Sequence, residues 1–254
     1  MKNEFEAFVI EFVRCFNEKN ESGPIWREPC FAYADASDPM FSELKSVIGE
    51  HHKLPKDIME DGKTVIAYFI PIGKNIADSN IPGYFASEEW ARTYLETIDL
   101  IKSINNGLNH LFSLHGWKIA MTADNRSWDP ETMKCNWSHR HAAYIAGLGT
   151  WGVNHGLITE KGVCGRFGTL ITDAYIEPTK RPEKEYCLYK QNESCKLCVS
   201  ACPVSALDVP DTYDNWACKA VTDENAEHHE SIGFADVCGK CMCGMPCSMN
   251  ISAS

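Results

Sequence analysis

The sequence predicts a mixed α/β (α+β) domain built on a sheet. A cysteine-rich module of the bacterial ferredoxin type follows it. Three observations predict it. Residues 64–72 (TVIAYFIPI) form an almost continuous apolar run, which is typical of a buried strand. A long helical pattern follows Ser87. Nine of the 13 cysteines lie from Cys187 onward, and their short spacings are typical of iron–sulfur ligands.

The first elements follow from periodicity and capping. Residues 4–19 carry apolar side chains at helical spacing, so we expect a helix with one face in the core. Residues 21–39 are rich in Gly, Pro and Asp and are predicted to be a loop. After the strand at 64–72, Ser87 is predicted to cap a helix that begins with two glutamates and ends at Gly116.

The second half of the α/β region contains shorter elements. Residues 117–122 are predicted to be a strand, 124–137 a polar loop, and 138–146 a short helix. Two further strands are expected near 153–159 and 169–176. Because strands and helices alternate, we expect a layered sheet. The seam EPTKRPEKE then divides an α/β domain, residues 1–178, from a ferredoxin-like domain, residues 179–254.

Composition excludes several classes of function. The net charge is −11 and the pI is about 5.3. Broad nucleic-acid binding needs a basic surface, so nucleic acid is not expected as a partner. No apolar run approaches the ~20 residues of a membrane span. Acidic residues interrupt the apolar opening segment, unlike a secretory signal, and we therefore expect a cytoplasmic, reducing location.

The cysteine pattern is the strongest chemical signal in the chain. Cys195-x2-Cys198-x3-Cys202-Pro203 matches the bacterial ferredoxin motif, with Cys187 placed upstream as a first ligand. Structural zinc is the alternative, but it favours paired C-x2-C units and often histidine. Each [4Fe–4S] cluster takes four thiolates, so nine cysteines suffice for two clusters with one to spare. The sequence therefore predicts an electron-handling protein.

A glycine motif precedes the cysteines. Residues 147–152 (GLGTWG) match G-x-G-x-x-G, but a helix precedes them and an apolar, strand-like segment follows. A dinucleotide fingerprint needs the reverse order, so a Rossmann site is not expected. Two interpretations remain open: a tight turn between helix and strand, or a backbone that approaches a flat cofactor closely.

Segments 146–154 and 157–158 resemble the A-G-L-G-W-x-G-K-N-x-x-L-I segment of the epoxyqueuosine reductases. Residues 168–173 are similar to the G-x-L-L-T-D strand that follows in that family, and the resemblance covers roughly residues 110–247. The resemblance extends to the superfamily that includes corrinoid-dependent reductive dehalogenases. It implies a nitroreductase-like domain that binds cobalamin beside two [4Fe–4S] clusters, and an external electron donor such as ferredoxin or flavodoxin.

The resemblance also implies ligand sets. Cys187, Cys195, Cys198 and Cys247 should bind one cluster, and Cys202, Cys218, Cys238 and Cys241 the other, with Cys243 as an alternative to Cys241. The glycine turn and the following strands should line the corrinoid. The cofactor-binding candidates are Arg140, Gly147, Leu148, Gly149, Gly152, Asn154, His155, Gly168 and Thr169.

Proton donors are expected before the glycine turn, where Asp124, Asp129, His139 and His141 lie close together in sequence. A reductase must deliver protons, and Asp129 and His139 are the catalytic candidates; ordinary loop polarity is the alternative. His155 has two interpretations, a cobalt ligand or a hydrogen-bonded strand histidine.

Some positions depart from the family. Met133 stands where the family carries its catalytic Asp, and the sequence ends at residue 254 without the helical-repeat extension. We therefore expect an iron–sulfur enzyme that reduces a small molecule. Epoxyqueuosine reduction on tRNA and a non-catalytic electron-transfer or corrinoid-activating role are the alternatives.

Overall fold

The computed structural model describes residues 2–20, 23–122 and 127–251. The helices are α1 (Lys2–Glu18), α2 (Met40–Val47), α3 (Pro55–Ile58), α4 (Lys74–Ser79), α5 (Glu88–Leu114), α6 (His139–Ile145), α7 (Leu188–Asn192), α8 (Leu197–Ser200) and α9 (Asn215–His228). The strands are β1 (Cys30–Asp35), β2 (Thr64–Pro71), β3 (Ile119–Met121), β4 (Trp128–Asp129), β5 (Lys134–Cys135), β6 (Gly149–Trp151), β7 (Leu157–Thr159), β8 (Gly165–Thr172), β9 (Leu207–Asp208) and β10 (Thr212–Tyr213).

The centre of the molecule is a four-stranded antiparallel sheet with the order β1-β2-β8-β3. Every residue of β2 is buried, which explains its continuous apolar run. Alternate β2 residues face two core clusters: Ile66 and Tyr68 pack with α1 and α5, whereas Val65 and Phe69 pack with α2 and α6. The predicted mixed α/β character with a layered sheet is confirmed.

Several predicted elements are confirmed at nearly the predicted positions. These include α1, β2 and α6, and the hydroxyl of Ser87 accepts a hydrogen bond from the Trp90 amide at the start of α5. Gly116, with φ +74°, follows the end of that helix. Caps and apolar stripes depend on local sequence, so they are readable without tertiary information.

Other elements differ from prediction. The segment 21–39, predicted to be a loop, contains the edge strand β1, which pairs along its whole length with β2. The strand predicted at 153–159 is a β6–β7 hairpin whose turn spans residues 152–156. The strand predicted at 169–176 begins at Gly165 and ends at Thr172. The loop predicted at 124–137 contains the β4–β5 hairpin.

The C-terminal segment packs against the sheet region. Cys243 is part of the core cluster beside α1 and α5, and Met242 and Met249 pack against it. The Val163 amide donates to the Cys247 carbonyl at 2.9 Å, and Arg27 Nη1 donates to the Met249 carbonyl at 2.8 Å. The chain thus returns across the seam predicted near residue 178 and joins both regions through one core. Among the described helices, none has the length and apolar character that crossing a bilayer requires.

Candidate metal centre and cofactor site

Four cysteines converge on one pocket. Cys187, Cys195, Cys198 and Cys247 line it, together with the β6–β7 turn and the C-terminal segment. Burial raises the pKa of the Cys198 thiol to about 11 and of Cys247 to about 12, and the other cysteines of the group add to each rise. Buried thiols in such a group are neutral until a metal supplies compensating positive charge.

A short helix brings the most distant of these cysteines into place. Cys187 is the N-cap residue of α7, and Glu193, with φ +61°, ends that helix in a left-handed conformation. The seven residues between Cys187 and Cys195 are therefore folded into little more than one helical turn and its reversal. This insertion lets both thiols reach the same pocket despite their wide spacing in sequence.

The second group contains Cys202, Cys218, Cys238 and Cys241. Burial raises the pKa of Cys241 well above its usual value. Negative charge on Cys238, Cys218 and Cys202 raises it further. Burial also raises the pKa of Cys238, with contributions from Cys218 and Cys202. Negative charge on Cys198 of the first group also raises the pKa of Cys241, so the two groups are neighbours.

Cys243 is engaged elsewhere. Its sulfur lies 4.0 Å from that of Cys164 and 3.5 Å from the Asn80 Nδ2 donor. The contact with Cys164 lowers the pKa of Cys243. The structure therefore groups Cys241, and not Cys243, with the other three cysteines of the second group.

The donors of both groups are cysteine thiols. Within the described residues, no group of three or more His, Cys, Asp or Glu side chains is arranged to hold a single metal ion. Zinc, with Zn–S bonds of ~2.3 Å, would require thiolates in mutual contact. A four-iron cluster is larger than one ion and holds its thiolates further apart, so the chemistry and grouping of these donors fit two such clusters.

Two buried asparagines hold the backbone of the second group. Asn154 Nδ2 donates to the Cys241 carbonyl at 3.0 Å, and its Oδ1 accepts from the Gly156 amide. Asn80 Nδ2 donates to the Cys238 carbonyl at 2.8 Å. Asn154 was predicted as a cofactor contact; here its amide orients the cysteine loop. Asn80 has no signal in sequence, because it caps the end of α4 158 residues before Cys238.

The glycine motif forms the C-terminal cap of α6. Gly147 has φ +89°, its amide donates to the Tyr144 carbonyl, and the Leu148 amide donates to the Ala143 carbonyl. This is a Schellman motif, which explains the need for glycine at residue 147. A Cβ there would lie 3.1 Å from the Lys180 carbonyl oxygen. The tight-turn interpretation therefore accounts for this residue.

The remaining predicted glycines and Leu148 are also packed by protein. A Cβ on Gly149 would lie 2.0 Å from the Ile158 carbonyl, and one on Gly168 would lie 2.1 Å from the Tyr68 ring. A Cβ on Gly152 would meet the Asn154 side chain at 2.5 Å. Close packing against protein therefore accounts for glycine at these three positions.

Thr169 is the centre of a buried hydrogen-bond network. Its hydroxyl accepts from Trp137 Nε1 at 3.0 Å and lies 2.7 Å from the Thr122 hydroxyl. His139 Nδ1 lies 2.8 Å from the same oxygen. The predicted cofactor residue Thr169 and the predicted catalytic residue His139 are thus brought into direct contact, and the network fixes the orientation of the imidazole.

Asp129 has the opposite environment. It lies exposed in the β4–β5 hairpin, where its carboxylate accepts bonds from the Thr132 hydroxyl and the Glu131 amide. Both hydrogen bonds lower the pKa of Asp129, and the bond from Thr132 has the larger effect. A proton donor at neutral pH needs a raised carboxyl pKa, so this environment favours a charged, non-donating Asp129. Asp124, the other acidic candidate, lies outside the described residues.

Arg140 and His155 form a polar edge beside the second cysteine group. Arg140 Nη1 donates to the His155 carbonyl at 2.7 Å. The His155 ring stacks on the Tyr213 ring with 4.6 Å between centroids. Burial raises the pKa of Tyr213, and a hydrogen bond with Cys218 raises it further. His155 lies in the β6–β7 turn, not in the strand that was predicted.

The nitrogen His155 Nε2 is buried and has no hydrogen-bond partner among the described residues; Asp211 Oδ1 lies 3.6 Å away. An orphaned buried donor or acceptor is costly unless a ligand completes it. Of the predicted corrinoid contacts, His155 with the exposed Arg140 is the pair whose polar groups fit a bound cofactor.

Comparison with known proteins places this fold. No family model and no curated protein sequence matches the chain. The epoxyqueuosine reductase of Streptococcus thermophilus is similar over 100% of this chain and 68% of its own, with 16% identity and a TM-score of 0.57. The epoxyqueuosine reductase of Bacillus subtilis was solved with its catalytic Asp loop swung out of the active site. The similarity covers 99% of this chain and 67% of that one, with 17% identity and a TM-score of 0.58.

A third similar structure is an epoxyqueuosine reductase with an epoxyqueuosine-modified tRNA-Tyr stem loop; it covers 97% of this chain and 66% of that one, with 18% identity and a TM-score of 0.57. That protein of the same fold was solved with RNA, so the fold itself is compatible with a nucleic-acid partner, contrary to what net charge alone led us to expect. Net charge sums the whole surface, whereas RNA contacts one face. The chain has the fold of the epoxyqueuosine reductases, as its sequence resemblance predicted.

Proposed function

We propose that this chain is an iron–sulfur oxidoreductase of the epoxyqueuosine reductase type. Residues 179–254, a two-cluster ferredoxin-like region, hold two [4Fe–4S] clusters, and residues 1–178, a nitroreductase-like region, hold a corrinoid. The single observation that carries the proposal is the grouping of eight cysteines into two neighbouring sets of four. When bound, the clusters supply electrons at low potential and the corrinoid supplies a cobalt that becomes nucleophilic on reduction.

The side chains have separate roles in this proposal. Cys187, Cys195, Cys198 and Cys247 bind one cluster, and Cys202, Cys218, Cys238 and Cys241 bind the other. Asn154 and Asn80 hold the backbone of the second set. A backbone amide, that of Ala206, donates to the Cys202 sulfur at 3.2 Å, and such bonds stabilise thiolate charge.

At the corrinoid, His155 and Arg140 supply the polar contacts. We assign His139, rather than Asp129, as the proton donor, because Thr169 holds its ring in place and the pKa of Asp129 is lowered. An external ferredoxin or flavodoxin supplies the electrons.

The substrate we favour is epoxyqueuosine in tRNA rather than a free small molecule. The observation that favours it is the likeness, along almost the whole of this chain, to a protein solved with such a tRNA stem loop. Met133, at the position expected to carry the catalytic Asp, lies in the β4–β5 hairpin with φ +54°, four residues after Asp129. The same hairpin therefore carries a carboxylate, displaced along its length.

Expression in a bacterial strain that lacks its own epoxyqueuosine reductase tests the proposal. Wild-type protein should restore queuosine in tRNA, as measured by mass spectrometry of the nucleosides, whereas Cys241→Ser should leave epoxyqueuosine. Iron and cobalt analysis of the same protein, prepared without oxygen, distinguishes the alternatives. Persistent epoxyqueuosine with about eight irons and bound corrinoid would indicate a small-molecule substrate. Clusters without corrinoid uptake would indicate an electron-transfer partner.

A further inference from the structure

Among the described residues, Lys240 is a buried cation that forms no ion pair with a carboxylate. The residue is only 5% exposed, and it lies between Cys238 and Cys241 in the second cysteine group. Its Nζ donates to the carbonyl oxygens of Asn80, at 2.9 Å, and Pro82, at 2.6 Å. In the part of the chain that the structure describes, Lys240 forms no ion pair with Asp or Glu.

A buried ammonium in this setting is unfavourable by itself. Removing an ion from water costs several kcal/mol, and two carbonyl dipoles recover only part of that cost. Proteins therefore pair a buried charge with an opposite charge or with a metal centre. Burial lowers the pKa of Lys240, and negative charge on the sulfurs of Cys238 and Cys243 acts against that shift.

The other lysine beside a cysteine of this group has different surroundings. Lys219 follows Cys218 directly, but it is 35% exposed in its side chain and pairs with Asp223 on the same helix. Solvent and the neighbouring carboxylate screen its charge. Of these two lysines, Lys240 is thus the one whose charge is screened neither by solvent nor by a neighbouring carboxylate.

We propose that the second iron–sulfur cluster is the counter-ion of Lys240, and that Lys240 raises the reduction potential of this cluster. The inference rests on the proposed function, since it needs a cluster on Cys202, Cys218, Cys238 and Cys241. A [4Fe–4S] centre with four thiolates is anionic and gains one more negative charge on reduction. A fixed, desolvated cation therefore stabilises the reduced form more than the oxidised form.

Lys240→Met removes the charge and keeps the length of the side chain, Lys240→Gln keeps a hydrogen-bond donor without charge, and Lys240→Arg keeps the charge. Each holoprotein would be titrated electrochemically without oxygen, with the reduced clusters followed by electron paramagnetic resonance. In Lys240→Met and Lys240→Gln, the reduction potential of one cluster should become more negative, and that of the other cluster should stay unchanged. At the wild-type midpoint, the ratio of reduced to oxidised cluster should fall about tenfold, equivalent to 59 mV for one electron.

Lys240→Arg and the matched control Lys219→Met should retain the wild-type potentials. Unchanged potentials in both neutral variants would overturn the proposal, as would a shift of equal size in Lys219→Met. If the neutral variants lose about four irons while Lys240→Arg retains them, the counter-ion role is supported by cluster retention. Loss in all three variants would leave Lys240 a packing residue and refute the electrostatic role.

Iron analysis of the wild-type protein separates this inference from the proposed function. A wild-type chain without iron would refute the clusters themselves. A wild-type chain with about eight irons, and potentials that do not respond to Lys240, would refute only the role of Lys240.

Discussion

At the scale of single residues, two cysteines in the C-terminal run have different surroundings. The thiol of Cys241 is surrounded by the other three cysteines of its group, whereas Cys243 contacts Cys164 and Asn80. A one-residue gap separates them in sequence, and the spacing alone left both open as ligands. The backbone direction at the turn decides between them, since Asn154 holds the Cys241 carbonyl.

Replacing each of these cysteines by serine should therefore have different results. Cys241→Ser should lose about four of about eight irons, because a hydroxyl is a poor substitute for a thiolate at a buried iron site. Cys243→Ser should keep its iron. Iron and sulfide analysis of proteins purified without oxygen measures both. The opposite outcome, iron loss from Cys243→Ser alone, would assign the ligand to Cys243.

Residue chemistry also limits what sequence could indicate at this site. The eight cysteines were identifiable because their type and spacing are themselves the signal. Asn80, Tyr213 and Lys240 were missed, since an amide, a phenol or an ammonium becomes informative only once its neighbours are known. Asn154 and Thr169 were identified as site residues, but their contacts are with the protein.

At the scale of elements, the C-terminus of α6 links the sheet region to the seam. Gly147 ends the helix in a Schellman motif and lies against the backbone of Lys180 and Arg181. Arg181 Nε donates to the Ile145 carbonyl at 2.9 Å, and its guanidinium pairs with Asp38. Arg181 thus anchors the seam to the end of α6.

The Gly147→Ala substitution should destabilise the protein by about 2–3 kcal/mol. Left-handed backbone costs alanine roughly 1–2 kcal/mol, and the new Cβ also presses against the Lys180 carbonyl. Gly116→Ala is the matched control, with φ +74° and no atom within 4 Å of its Cβ, and should cost about 1 kcal/mol. Urea denaturation of both variants measures the difference. Equal losses would remove the contact with the seam as a cause.

At the scale of the whole molecule, the cysteine-rich region and the sheet share one core. The C-terminal segment places Cys243, Met242 and Met249 against the helices that cover the sheet. Backbone hydrogen bonds tie Val163 and Cys164 to the same segment. Ordering of the cysteine loops and stability of the sheet should therefore be coupled.

Removal of iron with a chelator should lower the thermal midpoint of the entire chain by about 10 °C. Loss of roughly 3–5 kcal/mol is expected when buried thiols lose their metal, and 1 kcal/mol shifts the midpoint of a protein of this size by about 2–4 °C. Calorimetry before and after chelation measures this. Reconstitution with iron and sulfide should restore the midpoint. A sheet transition that stays unchanged on chelation would argue for two independent units.

The sequence by itself determined the α/β class, the main helices and central strand, and the candidate ligands, because capping, periodicity and cysteine spacing act over a few residues. It did not reveal β1, because the segment around this strand is rich in Gly, Pro and Asp; the strand is defined by its pairing with β2. Only the tertiary structure decided between Cys241 and Cys243 and showed which buried groups support the cysteines. Those contacts join residues such as Asn80 and Cys238, and their cost or benefit depends on burial that distant segments create.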